Sequence, residues 1–180
     1  MPELSIEADR GTMSHYQRTT RACTLDELRP ELAEAVRAYA QRQQWDNLEA
    51  EVLACCETTT ERTNANRLDA WLNGSAAISH LALIATPHRL IWAFSSNRAR
   101  TGAASAQYKA MRLKIFTPKR TAGIGVEIYA RMEGTGEKTG GRFMLDDNPA
   151  ARHFCEEVKR ATDPLHLPSA EKPRRKWFGR

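Results

Sequence analysis

The chain has 180 residues, 41% hydrophobic and 27% charged, with a formal charge of +5. These are the proportions of an ordinary globular protein with one core, and they exclude a collagen-like or low-complexity chain. No stretch approaches the ~18 consecutive apolar residues of a membrane span, and the start MPELSIEADR has neither a basic n-region nor an apolar h-region, so a cytoplasmic location is expected.

The charge excess is local. The last nine residues, KPRRKWFGR, hold Lys172, Arg174, Arg175, Lys176 and Arg180; taking these five from the 27 basic residues leaves 22, against 22 acidic ones. The body is therefore neutral overall, and composition does not imply a basic groove along it, although it permits a local patch. Four cysteines, Cys23, Cys55, Cys56 and Cys155, lie in no C-x-x-C spacing, and a domain of this size folds without staples, so reduced thiols are expected.

Residues 1 to 22 show few large apolar groups and no period, and are expected to form a disordered leader. From Thr24 the pattern changes. Thr24 and Glu27 fit a capping box, and Leu25, Leu28, Leu32, Val36 and Tyr39 recur at intervals of three and four, predicting an amphipathic helix over residues 25 to 43 with Pro30 near its start. After Trp45, the run EVLACCETTTERT predicts a strand over residues 49 to 62. A short strand is expected within residues 66 to 75, ending at Asn73-Gly74.

The segment LALIATPHRLIWAF reads as a hairpin of strands 78 to 86 and 89 to 95 broken at Pro87. Both faces of this hairpin are apolar, Leu81, Leu83, Leu90 and Trp92 on one and Ile84 and Ile91 on the other, so the sheet needs two covers, and the helix at 25 to 43 is the expected outer one. A long loop of small residues containing Arg98 and Arg100 is expected to follow.

Met111, Leu113 and Ile115 alternate with Arg112 and Lys114, and Ile124, Val126, Ile128 and Ala130 with Glu127, Tyr129 and Arg131, predicting two half-exposed strands. Residues 133 to 141 read as a glycine-rich loop, 142 to 145 as a short last strand. Asn148-Pro149 starts a second helix, with Ala151, Phe154, Cys155, Val158 and Ala161 on one face and Asp163-Pro164 as its stop. The expected organisation is a leader over 1 to 22, one domain over 23 to 162, and a proline-rich linker with a basic-aromatic tail over 163 to 180.

This order, and the pieces LALIATPHRLIWAF, GIGVEIYARMEG and RFMLDDNPAARHFCEEVKRA, resemble the bacterial pleckstrin-homology-like (PH-like) family over residues 48 to 162. The resemblance implies a mostly β, α+β fold: a bent antiparallel barrel of about seven strands with a C-terminal capping helix that turns Phe154 and Val158 inward, here with an added N-terminal helix. It implies a binding or interaction module. The basic pattern with which many eukaryotic members hold inositol phosphates has no counterpart in TERTNANRLDAWLNG, where only Arg62 and Arg67 are positive.

Among individual residues, adjacent Cys55 and Cys56 point to opposite faces of a strand and read as packed core thiols. His80, His88, His153 and Cys155 lack zinc-site spacing, so neither metal nor cofactor is expected. Nothing resembles G-x-S-x-G, H-E-x-x-H or a phosphate loop; GIGVE lacks a third glycine, and Asp146 and Asp147 read as charges at a helix start. Arg89 is expected to cap local carbonyls, with Trp92 in the core.

Lys119 and Arg120 are candidates for a basic rim together with Arg98 and Arg100. In the tail, Arg174, Arg175 and Lys176 precede Trp177 and Phe178, a combination suited to an anionic membrane interface or to nucleic acid. The leading expectation is a non-catalytic module that engages a protein or peptide partner, with peripheral membrane or nucleic-acid association through the tail as the alternative and an enzyme of unrecognised type as a second. Self-association is compatible with either binding reading.

Overall fold

The computed structural model describes residues 16–62, 78–97, 99–118 and 122–163, and these build two antiparallel sheets and three helices. The first sheet takes β1 (Tyr16–Ala22), β2 (Ala54–Arg62), β3 (Ile78–Ala85), β4 (Arg89–Ser96) and β5 (Ala99–Gln107), in that order. A single 3-10 turn at Tyr108–Ala110 leads into β6 (Met111–Phe116), which forms the second sheet with β7 (Ile124–Arg131) and β8 (Lys138–Leu145). The helices are α1 (Pro30–Arg42), the short α2 (Leu48–Glu51) and α3 (Pro149–Thr162).

The fold is thus mostly β with flanking helices, as expected, but its sheets are not closed into one barrel. They share one core. Leu83 and Leu90 from the first sheet, Val126, Ile128 and Leu145 from the second, and Phe154 and Val158 from α3 pack in a single cluster. The helix inserts these residues because Asn148 caps it, its side chain accepting from the Ala151 amide at 3.0 Å, while Pro149 occupies a first turn whose amides need no helical partner. A second link between the sheets is the Asp146 amide, which donates to Thr20 Oγ1 at 2.8 Å.

The opposite face of the first sheet is covered by α1. Leu32, Val36 and Ala40 of the helix meet Cys55, Ala82, Ile84, Ile91 and Ala93 in a separate apolar cluster. A hairpin apolar on both faces did need two covers, and α1 is the outer one. Its start differs from expectation: the helix begins at Pro30, because a proline at the first position loses no helical bond. Thr24 and Glu27 form a turn ahead of it, the Thr24 amide donating to Glu27 Oε2 at 2.8 Å, and Leu25 and Leu28 are buried from that turn.

Four further expectations are corrected. Residues 16 to 22 of the expected leader form β1, paired in full with β2, where backbone hydrogen bonds and Thr20 buried against Thr58 (2.9 Å) substitute for apolar bulk. Residues 48 to 51 are helical, so β2 starts at Ala54 and not near residue 49. The small residues after position 98 form β5, paired with β4, and Ala103 and Ser105 on its outer face let α1 lie close against that edge of the sheet. The last strand starts at Lys138, which shortens the glycine-rich connection to a turn. The strand expected within residues 66 to 75 lies outside the described residues.

Candidate binding surface

The two sheets differ in what covers their outer faces. Alternation along β6 to β8 turns Leu113, Ile115, Val126, Ile128 and Phe143 inward, and so directs Arg112, Lys114 and Phe116, then Glu127, Tyr129 and Arg131, then Lys138 and Arg142 outward. Five cations and one carboxylate therefore share one three-stranded face, on a chain whose body is neutral overall. Tyr129, 58% exposed, is the most open of the large hydrophobic residues among those described.

Glycines set the aromatic rings on this face. Gly125 lies across from Phe116 and Gly140 across from Tyr129; a Cβ at Gly125 would stand 2.3 Å from the Phe116 ring, and one at Gly140 3.1 Å from that of Tyr129. Both rings therefore lie down on the backbone of the neighbouring strand, the arrangement by which an aromatic shields a strand glycine. Arg142 stacks on Phe116 (5.1 Å) and donates to Glu127 Oε1 at 2.7 Å. That hydrogen bond, above all, holds the Glu127 carboxyl below its ordinary range and keeps it ionised.

Arg142 is thus neutralised, whereas Lys109, Arg112, Arg131 and Lys138 have no ion pair to a described residue. These four cations and Tyr129 line an open groove of about 830 Å³. The surface offers guanidinium and ammonium groups around one open ring, which suits carboxylates interspersed with apolar side chains.

The hairpin corner between β3 and β4 works differently from the expectation. Thr86, fully buried, closes the turn: its hydroxyl accepts from the amides of His88 (3.4 Å) and Arg89 (3.2 Å), and its amide donates to the Arg89 carbonyl at 3.1 Å. Arg89 is released from local capping. Its guanidinium lies over the Trp45 ring at 4.1 Å and stands 3.5 Å from Glu133, whose carboxylate also accepts from Ser105 (2.6 Å) and Gln107 (2.8 Å). With Tyr39 donating to the Glu133 carbonyl at 3.0 Å, this knot ties α1, β4, β5 and the β7–β8 turn together. Its carboxylate is taken up by these partners, Arg89 Nε alone of the group being buried without a hydrogen-bond partner among the described residues, and the knot is structural.

A buried carboxylate, Glu57, docks the start of α1. It forms an ion pair with the Arg29 guanidinium (2.9 Å) and accepts from Arg21 (2.8 Å) and from the Arg29 amide (3.1 Å) at the helix N-terminus, where a negative charge also meets the favourable end of the helix dipole.

Of the residues singled out from sequence, Arg174, Arg175, Lys176, Trp177, Phe178, Lys119 and Arg120 lie outside the described residues, as does Arg98. His80 bonds Thr59 at 3.1 Å, Asp147 pairs with Arg152 at 2.8 Å, and Trp92 packs on Phe143 at the core's margin. Cys55 and Cys56 do face opposite clusters. Among the described residues, no group of three or more His, Cys, Asp or Glu is placed to hold a metal ion, and no helix is long and apolar enough to cross a membrane. The basic face was visible in the alternation of β6 and β7, but its extent depended on β8 starting four residues earlier than the sequence suggested. Comparison with family models, curated proteins and solved structures finds no match to this chain.

Proposed function

We propose that the chain is a non-catalytic, PH-like interaction module that captures an acidic segment of a partner protein on the outer face of its second sheet. The observation that carries this reading is the gathering of five cations around an open tyrosine on a bare face, with a single, already paired carboxylate among them. The PH-like reading draws support from the order of two antiparallel sheets followed by a helix whose Phe154 and Val158 enter the core. Sheets that bind single strands of nucleic acid stack two or three bases on aromatic rings; here Arg142 already occupies Phe116, leaving one ring open, which favours a peptide.

Fluorescence anisotropy of the full chain with a labelled glutamate-rich peptide containing tyrosine tests the proposal. Single-stranded oligouridylate and phosphatidylserine vesicles serve as competing arms. Binding should weaken with salt, survive truncation after residue 171, and fall at least ~10-fold in an Arg112→Glu, Arg131→Glu, Lys138→Glu variant. Unchanged affinity in that variant, or capture of the oligonucleotide or vesicle in preference to the peptide, overturns it.

A further inference from the structure

Cys23 follows β1 and Cys55 lies in β2, and the strand register that pairs Ala22 with Cys56 sets these two cysteines directly opposite each other. The Cys23 amide donates to the Cys55 carbonyl at 3.1 Å. Hydrogen-bonded antiparallel neighbours stand with their Cα atoms about 5.5 Å apart, inside the window that a disulfide spans. The two sulfurs are 3.6 Å apart, and both thiols are free. They lie on the α1 side of the sheet, at a cleft of about 390 Å³ whose walls include Asp26, Glu49, Val52 and Leu53.

The pair is asymmetric. Cys55 is 6% exposed and Cys23 half-buried, so a reagent entering the cleft meets Cys23 first. The hydrogen bond from the Cys55 thiol, aided by the charge of Arg21, lowers the Cys23 thiol from its ordinary pKa, whereas that same bond and burial raise Cys55. One sulfur is therefore the better nucleophile and the other retains its proton. Cys56 and Cys155 are buried, and desolvation pushes both upward, Cys155 to about 11.

We infer that Cys23 and Cys55 form a peroxide-responsive dithiol that closes into a disulfide and staples the α1 cover to the first sheet. The Cys23 thiolate attacks the O–O bond of a hydroperoxide; the sulfur is oxidised to sulfenic acid, and the departing oxygen takes a proton and leaves as water or an alcohol. Cys55 sulfur then attacks the Cys23 sulfur, an S–S bond forms as the S–O bond breaks, and the released hydroxide takes the Cys55 proton to leave as water. The peroxide gains two electrons and the dithiol loses two; a small-molecule thiol reverses the step by exchange. Asp26 and Glu49 at the cleft favour a small neutral oxidant over an anionic disulfide.

The consequence follows from the chain path. Residues 24 to 54, between the two cysteines, contain α1 and α2, so the bond closes a loop around the whole outer cover of the first sheet. Closing such a loop restricts the unfolded chain and should hold α1 against local opening.

The test is to treat the native full chain with stoichiometric hydrogen peroxide, then map it by non-reducing digestion and mass spectrometry. The expected product is a Cys23–Cys55 linked peptide, lighter by two hydrogens and restored by dithiothreitol. Before oxidation, iodoacetamide should label Cys23 ahead of the other three. Cys55→Ser should stop at a Cys23 sulfenic acid trapped by dimedone, and Cys23→Ser should give neither product. Slower amide exchange across α1 in the oxidised chain is expected, with β6 to β8 unchanged. The proposal is overturned if the folded chain yields no Cys23–Cys55 link, if Cys56 or Cys155 reacts first, or if the link forms only in urea.

Discussion

The first sheet is buried on both faces and the second on one, and this difference accounts for where each can act. In the first, β3 and β4 carry Leu83 and Leu90 toward the shared core and Ile84 and Ile91 toward α1, all fully buried. Such strands read as continuous apolar runs, and their chemistry is confined to their margins, where Cys23 and Cys55 meet. In the second, the inward residues of β6 and β7 alternate with Arg112, Lys114, Tyr129 and Arg131. A face that no helix among the described residues covers carries charge at no cost in burial, and a chain whose body is neutral overall can gather a strongly basic surface there.

Loosening the cover of the first sheet should have the largest effect. Leu32, fully buried between α1 and that sheet, should cost about 2–5 kcal/mol when replaced by alanine, measured by urea unfolding. Native-state amide exchange of that variant should speed up first in α1 and last in β7; uniform acceleration would mean that the two clusters open as one unit.

Glu57→Gln asks whether α1 is docked by charge as well as by apolar contact. Because the carboxylate accepts hydrogen bonds from Arg21 and from the Arg29 amide and pairs with the Arg29 guanidinium, its neutralisation should destabilise by about 1–3 kcal/mol, less than the leucine change since both guanidiniums are half-exposed and regain water. An effect near zero would assign the docking to the apolar contacts alone. Smallest of all, Tyr129→Ala on the bare face should stay within about 0.5 kcal/mol in stability while weakening peptide capture. A large loss of stability there would show that the ring serves packing rather than binding.

Several of these elements were legible before folding. The apolar hairpin around Pro87, the asparagine cap of α3 and the outward cations of β6 and β7 each follow from a local pattern, in which side-chain direction repeats with a period of two or 3.6 residues. β1 was not legible, because Tyr16–Ala22 offers polar side chains and gains its stability from the ladder with β2. β5 was hidden for the opposite reason: its small residues give no periodic signal until α1 lies against Ala103 and Ser105. Arg89 illustrates the same limit, since its neighbours Trp45 and Glu133 are remote in the chain and converge only in the fold.

From its residues alone, this protein was bound to be a mostly β domain with an amphipathic helix before its main strands and a capped helix after them, because burial of apolar periods and local turn chemistry act over a few residues. Tertiary structure alone decided that the sheets stay separate, that Glu57 anchors a helix, that five cations share one bare face, and that Cys23 meets Cys55. Each of these depends on pairing register and on contacts between distant segments, whose free energy no local pattern contains.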